Sequence, residues 1–385
     1  PTSYYLDLDE VWNEYDDPGS YSPSLSLGTL MINSCFIVDM LWTYADSLDQ
    51  DSLYNVLDEM AYYAYLVLDA DYSYTVTPDP ALFNGVDYPD TLTIAYTNSR
   101  LRLAGALGYA GCILENVDYI NTAEEDLFDE QLSTQEGTKY GFIDLMTAEN
   151  GTYSEGMLYT QFTLEGLAPF FTARNRVDLS HLTDLDNGAS VNWYENKKVK
   201  QIYENSMDLI APDFGYLSID DAVNAGIKRP SGELVSPMTF TQALSYYFQG
   251  NDSSLKANIN WFLESYKNTY SDDYPSGLSH FGHIPQLFSY KSITSPGSAV
   301  PQNTANGSYS NTEFTIFRKA SSNVSEIQNS PTLVVTHDRS NNYSSHEHSD
   351  QGSFMLYYQG KPLLIDPGYR PSWGSNIGRE WLRSP

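Results

Sequence analysis

The sequence predicts an α+β multidomain protein in which an N-terminal (α/α) toroid of helical hairpins precedes an antiparallel β-sandwich. Its 385 residues are too many for one ordinary core. Apolar residues recur every three or four positions through the first two-thirds, and short runs bounded by turn residues follow near the C-terminus. We therefore expect a toroid over residues 1–295, a linker over 296–310 and the start of a sandwich over 311–385.

The helical part is marked most clearly at residues 53–68 and 255–266, where large apolar side chains fall on one face of a 3.6-residue period. The connections are rich in Asp, Pro, Gly and Ser, which is typical of irregular loops between helices. Helical hairpins joined by such loops favour an (α/α) array. Further helices are expected at about 25–46, 97–116, 155–174, 193–211 and 236–249.

The β part follows a polar stretch with Pro and Gly near residues 290–310. Four short runs come next, EFTIFRKA, TLVVTHD, SFMLYYQG and KPLLIDPG, and the last two read as a hairpin that turns at Gln359 and Gly360. About four strands are too few to close a sandwich. We therefore expect the sandwich to be incomplete in this chain.

Charge and composition limit the classes of partner. The chain has 50 acidic and 20 basic residues, a formal net charge of −30, which argues against nucleic acid as a partner and suits a salty or extracellular setting. An anionic polymer would be repelled unless it met a local basic patch. The 32 Tyr suit a groove that stacks on sugar rings, or else Tyr is simply the favoured large residue.

Cysteine use and hydropathy bear on the compartment. Cys35 and Cys112 both lie in apolar helical segments, as two buried thiols or as one disulfide, and the sequence does not distinguish the two. No apolar run reaches the roughly 18 residues of a membrane span. A removed signal peptide, or a trimmed N-terminus, would account for a start at Pro1, and we expect a secreted protein, extracellular or periplasmic. Nothing in the sequence predicts the oligomeric state.

A pair of histidines is the strongest local signal of chemistry. His346 and His348 stand two residues apart, so on an extended segment both side chains point the same way. Asp366 falls one hairpin later, on the neighbouring strand. His and Asp on adjacent strands would make a partial Zn²⁺ site. The alternative is a pair of surface histidines in a polar loop.

Residues 337–368 resemble the signature of heparinase II/III-type polysaccharide lyases, H-x-H-x-D, then S-F, a Gly-bearing hairpin and D-x-G. The resemblance implies a toroid followed by a β-sandwich, and cleavage of a uronic-acid-containing polysaccharide by β-elimination. It also implies that His346 is a catalytic base or acid, that His348 and Asp366 bind a structural Zn²⁺, and that a further ligand lies beyond this chain. The matching positions are His346, His348, Asp350, Ser353, Phe354, Gly360, Asp366 and Gly368.

Two helical segments extend the resemblance. NGTYSEGMLY is similar to a toroid motif of the family, with Asn150 in place of Asp; this similarity implies that Tyr159 is the catalytic tyrosine, with Tyr153 as runner-up. AYTNSRLRLAG is similar to the helix that holds the substrate carboxylate, which implies that role for Asn98. Ser99 stands where many alginate-type members have His. The substrate-binding residues expected beside this set are Arg100, Tyr153, Glu155 and Arg339.

Each assignment has a plainer alternative. Tyr159 could be a core or groove-lining tyrosine, and Asn98 could cap the start of its helix. Two other classes of protein also remain open. One is a glycoside hydrolase with two carboxylates across a cleft, for which Glu155 and Asp350 are candidates. The other is a non-catalytic carbohydrate-binding protein, which would need the aromatic residues but not the histidine pair.

Overall fold

A computed structural model describes residues 23–42, 47–69, 74–76, 92–94, 97–129, 132–133, 139–143, 147, 151, 153, 156–215, 217, 238–270, 308–310, 314–321, 323–336 and 352–364. Helices form most of the described residues up to Thr269, and the described part of a larger antiparallel sheet begins at Ser308. The helices are α1 (Pro23–Leu41), α2 (Ser47–Asp69), α3 (Thr97–Leu114), α4 (Val117–Glu124), α5 (Gly156–Arg176), α6 (Lys197–Asp208), α7 (Phe240–Gln249), α8 (Ser253–Thr269) and α9 (Val324–Asn329).

The strands fall into three sheets among the described residues. Two are short two-stranded ribbons within the helical part, and the third has five strands in the order β5-β6-β7-β8-β9, all antiparallel. The strands are β1 (Tyr74–Val76), β2 (Leu92–Ile94), β3 (Leu132–Ser133), β4 (Lys139–Tyr140), β5 (Ser308–Ser310), β6 (Phe314–Arg318), β7 (Thr332–Thr336), β8 (Phe354–Tyr358) and β9 (Lys361–Leu364).

Polar caps set the starts of several helices. The Asn196 side chain accepts from the backbone of Lys198 at the start of α6. Thr239 and Gln242 form a reciprocal capping box at the start of α7, which satisfies two backbone donors that a helix end leaves free. The predicted helix 193–211 is thereby divided, because a separate 3-10 turn at Trp193–Glu195 precedes the Asn196 cap.

Helices α3 and α5 run parallel in close contact. Arg102 Nη1 donates to the carbonyl oxygen of Phe162 at 2.9 Å. Two turns later, Gly108 lies so close to Phe170 that a Cβ there would come within 2.6 Å of the ring. The partner number rises with the residue number, so both helices begin at the same end of the array.

A glycine pair allows this approach. A Cβ at Gly105 would lie 2.5 Å from the carbonyl oxygen of Gly166, a separation that no side chain could adopt without moving one helix. The absence of both side chains therefore sets the distance between α3 and α5.

Helix α1 continues the parallel set on one side of α3. A Cβ at Gly28 would lie 3.2 Å from Leu103 Cα, and the rings of Phe36 and Tyr109 meet with centroids 5.4 Å apart. Helix α3 also packs against α2, in the antiparallel sense, because Leu68 accepts from Arg100 whereas Leu114 accepts from Tyr54.

Helix α7 adds a fourth parallel member beyond α5. Gln242 Nε2 donates to the Gln161 carbonyl oxygen at 2.7 Å near the start of both helices. Asn175 Nδ2 donates to Gln249 Oε1 at 2.8 Å near their ends. Helix α6 runs antiparallel to α7, since Asn192 before α6 donates to the Gln249 carbonyl oxygen at the end of α7, whereas Tyr203 farther along donates to the Gln242 carbonyl oxygen near the start of α7.

The parallel helices α1, α3, α5 and α7, with antiparallel neighbours, form the layered array expected of helical hairpins. An antiparallel sheet follows them in the chain. The predicted fold class, an (α/α) toroid-type helical part followed by an antiparallel β part, is confirmed.

The five-stranded sheet agrees with the sequence at its hairpin and differs at its start. Gln359 and Gly360 have φ values of 52° and 65°, as a two-residue hairpin turn with positive φ at both positions requires. The strand Ser308–Ser310 lies within the stretch interpreted as a linker, and it pairs with β6. Its polar sequence lacks the alternation that marks a half-buried strand, which explains why the pattern missed it.

The inner face of the sheet packs against the helical part. Phe314, Ile316, Val334, Met355 and Tyr357 form one apolar cluster with side chains from the start of α5 and the segment after α6. On the outer face Phe317, Phe354 and Tyr358 are 52%, 54% and 44% exposed. Exposed apolar side chains on this scale suit one layer of a sandwich.

A buried ion pair fastens the segment between α5 and α6 to the helices. Arg174 Nε donates to Glu124 Oε1 at 2.7 Å, and both side chains are at most 1% exposed. The same carboxylate accepts from Asn187 Nδ2 at 3.1 Å and from Trp193 Nε1 at 2.8 Å. The remaining donors of Arg174 bind the Ala189 and Gly188 carbonyl oxygens. Every partner of the pair is polar and close, as burial of two charges demands.

The two cysteines are free thiols in the core. Cys35 and Cys112 are 0% and 1% exposed. Burial raises the pKa of Cys112 to about 12 and that of Cys35 well above its usual value. Both therefore remain protonated and unreactive at neutral pH. Among the described helices, none has the length and hydropathy that crossing a bilayer requires.

Candidate functional site

Two of the predicted catalytic residues lie in the first turns of α3 and α5. The contacts between these helices pair residue 102 with residue 162, and the helices are parallel. The same register places position 98, in the first turn of α3, level with the first turn of α5, which contains position 159. Asn98 and Tyr159 therefore lie at the same end of two adjacent helices, although 61 positions separate them in the sequence.

Asn98 is held in the first turn of α3 and is 8% exposed. Its Oδ1 accepts from the Ser99 hydroxyl at 3.3 Å. The helix begins at Thr97, so Asn98 lies inside the first turn, and the alternative in which it caps the helix does not hold. The amide NH₂ of an asparagine is a donor of the kind that can bind a carboxylate.

Tyr159 and Tyr153 differ in exposure. Tyr159 is half-buried on α5, and its ring meets Phe162 edge to face with centroids 6.3 Å apart. Tyr153 is 2% exposed, and its hydroxyl accepts from Thr163 at 3.2 Å within the core. A substrate could reach Tyr159 more readily, so the geometry favours it over the runner-up Tyr153.

Arg100 points away from solvent. Its Nη2 lies 2.6 Å from Asp126 Oδ1, its Nε donates to the same oxygen at 2.8 Å, and Nη2 also donates to the Leu68 carbonyl oxygen. The residue is 6% exposed. The guanidinium thus ties α3 to two neighbouring segments, and a substrate carboxylate would compete with Asp126 for it.

The sheet packs against the same end of α5. Met157 belongs to the apolar cluster of the inner sheet face, and Leu158 packs against it. Helix α6 ends on this side too, because Arg318 of β6 donates to the Asp208 and Ile210 carbonyl oxygens after the last turn of α6. The boundary between the helical part and the sheet therefore passes beside Met157 and Leu158 in the first turn of α5, whereas Tyr159 of the same turn packs against the helical core.

In the sequence, the histidine pair lies in the connection between two neighbouring strands of this sheet. Strand β7 ends at Thr336 and β8 begins at Phe354. Between them, the Thr336 N–H donates to the Ser353 carbonyl oxygen at 3.0 Å and the Gly352 N–H donates to Thr336 at 2.9 Å. These bonds hold the two described ends of the connection, Thr336 and Gly352, next to each other.

Five of the predicted site residues lie outside the described residues. They are the substrate-binding candidates Glu155 and Arg339, the catalytic candidate His346 and the zinc ligands His348 and Asp366. Within the described ranges, no group of three or more His, Cys, Asp and Glu could hold a metal ion. The predicted metal site therefore remains a prediction.

The family comparison concerns the part of the chain that bears the histidine pair. Residues 303–385 match the family model described as heparinase II/III-like, C-terminal. These residues form a heparinase II/III-like C-terminal region. The match confirms the resemblance inferred from the signature. This heparinase II/III-like region contains strands β5 to β9 and helix α9, and its inner face packs against Met157 and Leu158 in the first turn of α5.

Two solved structures are similar to most or all of the chain at low identity. One, described as a heparinase III gene product, is 14% identical with a TM-score of 0.44; 89% of this chain and 41% of that one are covered. The other is the heparan sulfate lyase HepC of Pedobacter heparinus, 13% identical with a TM-score of 0.47, over 100% of this chain and 46% of that one. The chain thus spans less than half the length of these structures. No curated protein matches it.

One residue of this site was not singled out from the sequence. Arg102 lies four positions after Asn98, at the contact between α3 and α5, and it is fully buried. The available signal was the i, i+4 spacing from Asn98, which places both residues on one helix face. A charged residue is usually exposed, so the sequence alone did not indicate that Arg102 is buried between α3 and α5.

Proposed function

We propose that the chain is a large part of a polysaccharide lyase that cleaves a uronic-acid-containing polysaccharide by β-elimination. The observation that carries this proposal is that Asn98 and Tyr159 lie in the first turns of two adjacent parallel helices, at the end of α5 against which the heparinase II/III-like region packs. An amide and a phenol at such a boundary match the groups that elimination next to a carboxylate requires.

The chemistry begins with removal of the proton on C5 of the uronate. Negative charge then builds on the adjacent carboxylate, and the Asn98 amide can donate hydrogen bonds to it. The base is His346 in its neutral form or Tyr159 as a phenolate. The bond from C4 to the glycosidic oxygen breaks, a C4–C5 double bond forms, and the leaving oxygen takes a proton, for which the Tyr159 hydroxyl is suited.

The charge distribution favours a substrate without sulfate. Arg100, Arg174 and Lys200 each pair with a carboxylate of the chain itself, so their charges are largely neutralised. Only 20 basic residues face 50 acidic ones over the whole sequence. A densely sulfated polymer would meet strong repulsion, whereas a uronate with one charge per sugar would meet less. Arg339 and Glu155 are further candidates for binding this substrate, in a secreted protein, extracellular or periplasmic.

The direct test is a panel of uronate polymers, sulfated and non-sulfated, incubated with the protein and followed by ultraviolet absorbance. A lyase leaves an unsaturated uronate end that absorbs, whereas hydrolysis adds water and leaves none. We expect absorbance to rise with a non-sulfated polymer. Chain shortening without absorbance would instead identify a glycoside hydrolase, and binding without shortening a non-catalytic carbohydrate-binding protein.

A structural Zn²⁺ held by His348 and Asp366 is part of the same proposal. Two protein ligands bind zinc weakly, and a structural site normally has four. We therefore expect zinc in a longer chain that supplies another ligand, and chelation there should lower the unfolding temperature more than it slows the chemical step. Elemental analysis checks this, and full activity in a protein without any metal would remove zinc from the proposal.

A further inference from the structure

Arg102 is a cation enclosed between the two helices that carry Asn98 and Tyr159. It follows Asn98 by four residues on α3, so both side chains leave the same face of that helix. The residue is 0% exposed. A charge at this depth is costly unless specific groups of the protein bind it.

The contacts of Arg102 lead to the second turn of α5. Its Nη1 donates to the Phe162 carbonyl oxygen at 2.9 Å and lies 3.6 Å from Glu165 Oε2. Its Cζ lies 4.1 Å from the centroid of the Phe162 ring, a cation–π distance. Burial lowers the pKa of the guanidinium to about 10, while the Glu165 carboxylate acts in the opposite sense, so the group remains a cation at neutral pH.

Phe162 connects this cation to the predicted catalytic tyrosine. Its ring meets that of Tyr159 edge to face, with centroids 6.3 Å apart. The Phe162 ring is thus held by Arg102 and packs against Tyr159. Gly166 makes room for this arrangement, because a Cβ there would lie 2.8 Å from Arg102 Cγ and 2.9 Å from its Cα.

We propose that Arg102 is a positioning residue that fixes Tyr159 relative to Asn98 by binding the α5 backbone and the Phe162 ring. The expected effect of Arg102 on the rate of elimination rests on the proposed lyase function. Its consequence for the geometry of α3 and α5 does not, since that depends only on contacts within the chain.

Two substitutions separate the parts of this role. Arg102→Lys keeps the charge and loses the planar fork of donors, and Arg102→Met removes the charge at similar length. We expect kcat to fall about 10- to 100-fold for Arg102→Met, because a misplacement of about 1 Å can cost about 100-fold in rate. KM should change little, since a group that acts through Tyr159 affects the transition state more than substrate binding. Arg102→Lys should recover part of the loss.

The matched controls are Arg174→Met and Arg174→Lys, the same two exchanges at a second buried arginine. Arg174 lies near the other end of α5 and pairs with Glu124. Each control substitution should lower the free energy of unfolding without changing kcat per folded molecule. A kcat for Arg102→Met equal to that of Arg174→Met would overturn the proposal. If Arg102→Met fails to fold, the same comparison is made with Arg102→Lys.

Amide hydrogen exchange on the same samples distinguishes this proposal from the proposed function. We expect faster exchange in the N-terminal halves of α3 and α5 for the Arg102 variants, and faster exchange around residues 186–193 for the controls. If no uronate polymer yields an unsaturated product with the unsubstituted protein, the proposed function fails, and exchange alone decides the positioning role. Unchanged exchange in both N-terminal halves would overturn it.

Discussion

Replacing Tyr159 with phenylalanine is expected to lower kcat for elimination by about 10²- to 10⁴-fold, the contribution that a positioned general acid or base typically makes. The substitution keeps the ring that packs against Phe162 and removes the hydroxyl alone. The fold should therefore survive. Ultraviolet absorbance of the product measures the rate, and a urea unfolding curve on the same sample measures stability.

Tyr194→Phe is the matched control for this experiment. Tyr194 is fully buried in the turn before α6, and its hydroxyl donates to the Ala168 carbonyl oxygen at 3.1 Å, in the C-terminal half of α5. It should leave kcat unchanged. His346→Ala should reduce the rate as strongly as Tyr159→Phe, and the double variant should lose little more, because groups that act as one unit are not additive. A Tyr159→Phe protein as active as the control would remove Tyr159 from the mechanism.

Neutralising Glu124 is expected to cost about 3 kcal/mol of unfolding free energy or more, because removal of one charge from a buried ion pair strands the other. Glu124→Gln leaves a side chain of the same shape beside Arg174, whose guanidinium is 0% exposed. Asn187 and Trp193 would also lose a charged acceptor. Denaturant unfolding followed by circular dichroism measures the change.

Glu326→Gln supplies the comparison for Glu124→Gln. Glu326 pairs with Lys319 at 3.0 Å on the surface, with side chains 50% and 58% exposed. Exposed pairs of this kind contribute little, so the unfolding curve should barely move. If the two Glu→Gln variants were equally stable, the network around Arg174 would not be what holds the segment after α5.

The sequence predicted the helices well because their apolar spacing is a local property. It could not predict which helices are enclosed. Every residue of α3 from 98 to 112 is buried, so no polar face marks its orientation, and its parallel alignment with α5 follows from contacts 60 positions apart. The glycines that allow the approach, Gly105 and Gly166, are unremarkable in the sequence and acquire meaning only in pairs.

The candidate site was predicted only in part, because contacts between residues distant in the sequence decide which of its side chains are accessible. The tyrosines at 153 and 159 lie six residues apart in similar surroundings, and only packing distinguishes a core residue from a half-buried one. Arg100 looked available to a substrate carboxylate because arginine is usually exposed. Its partner Asp126 lies 26 positions away, and no periodic pattern relates the two.

The common direction of α1, α3, α5 and α7 has an electrostatic consequence. Peptide dipoles add along a helix, which places about half a positive charge at its N-terminus. None of these four helices has an acidic residue in its first turn, in a chain with 50 acidic residues. No carboxylate in the first turn of these helices therefore offsets the positive charge of their N-termini. These N-termini all lie at the end of the array that contains Asn98 and Tyr159. A protein of net charge −30 can in this way present an anion-attracting end without a cluster of lysines or arginines.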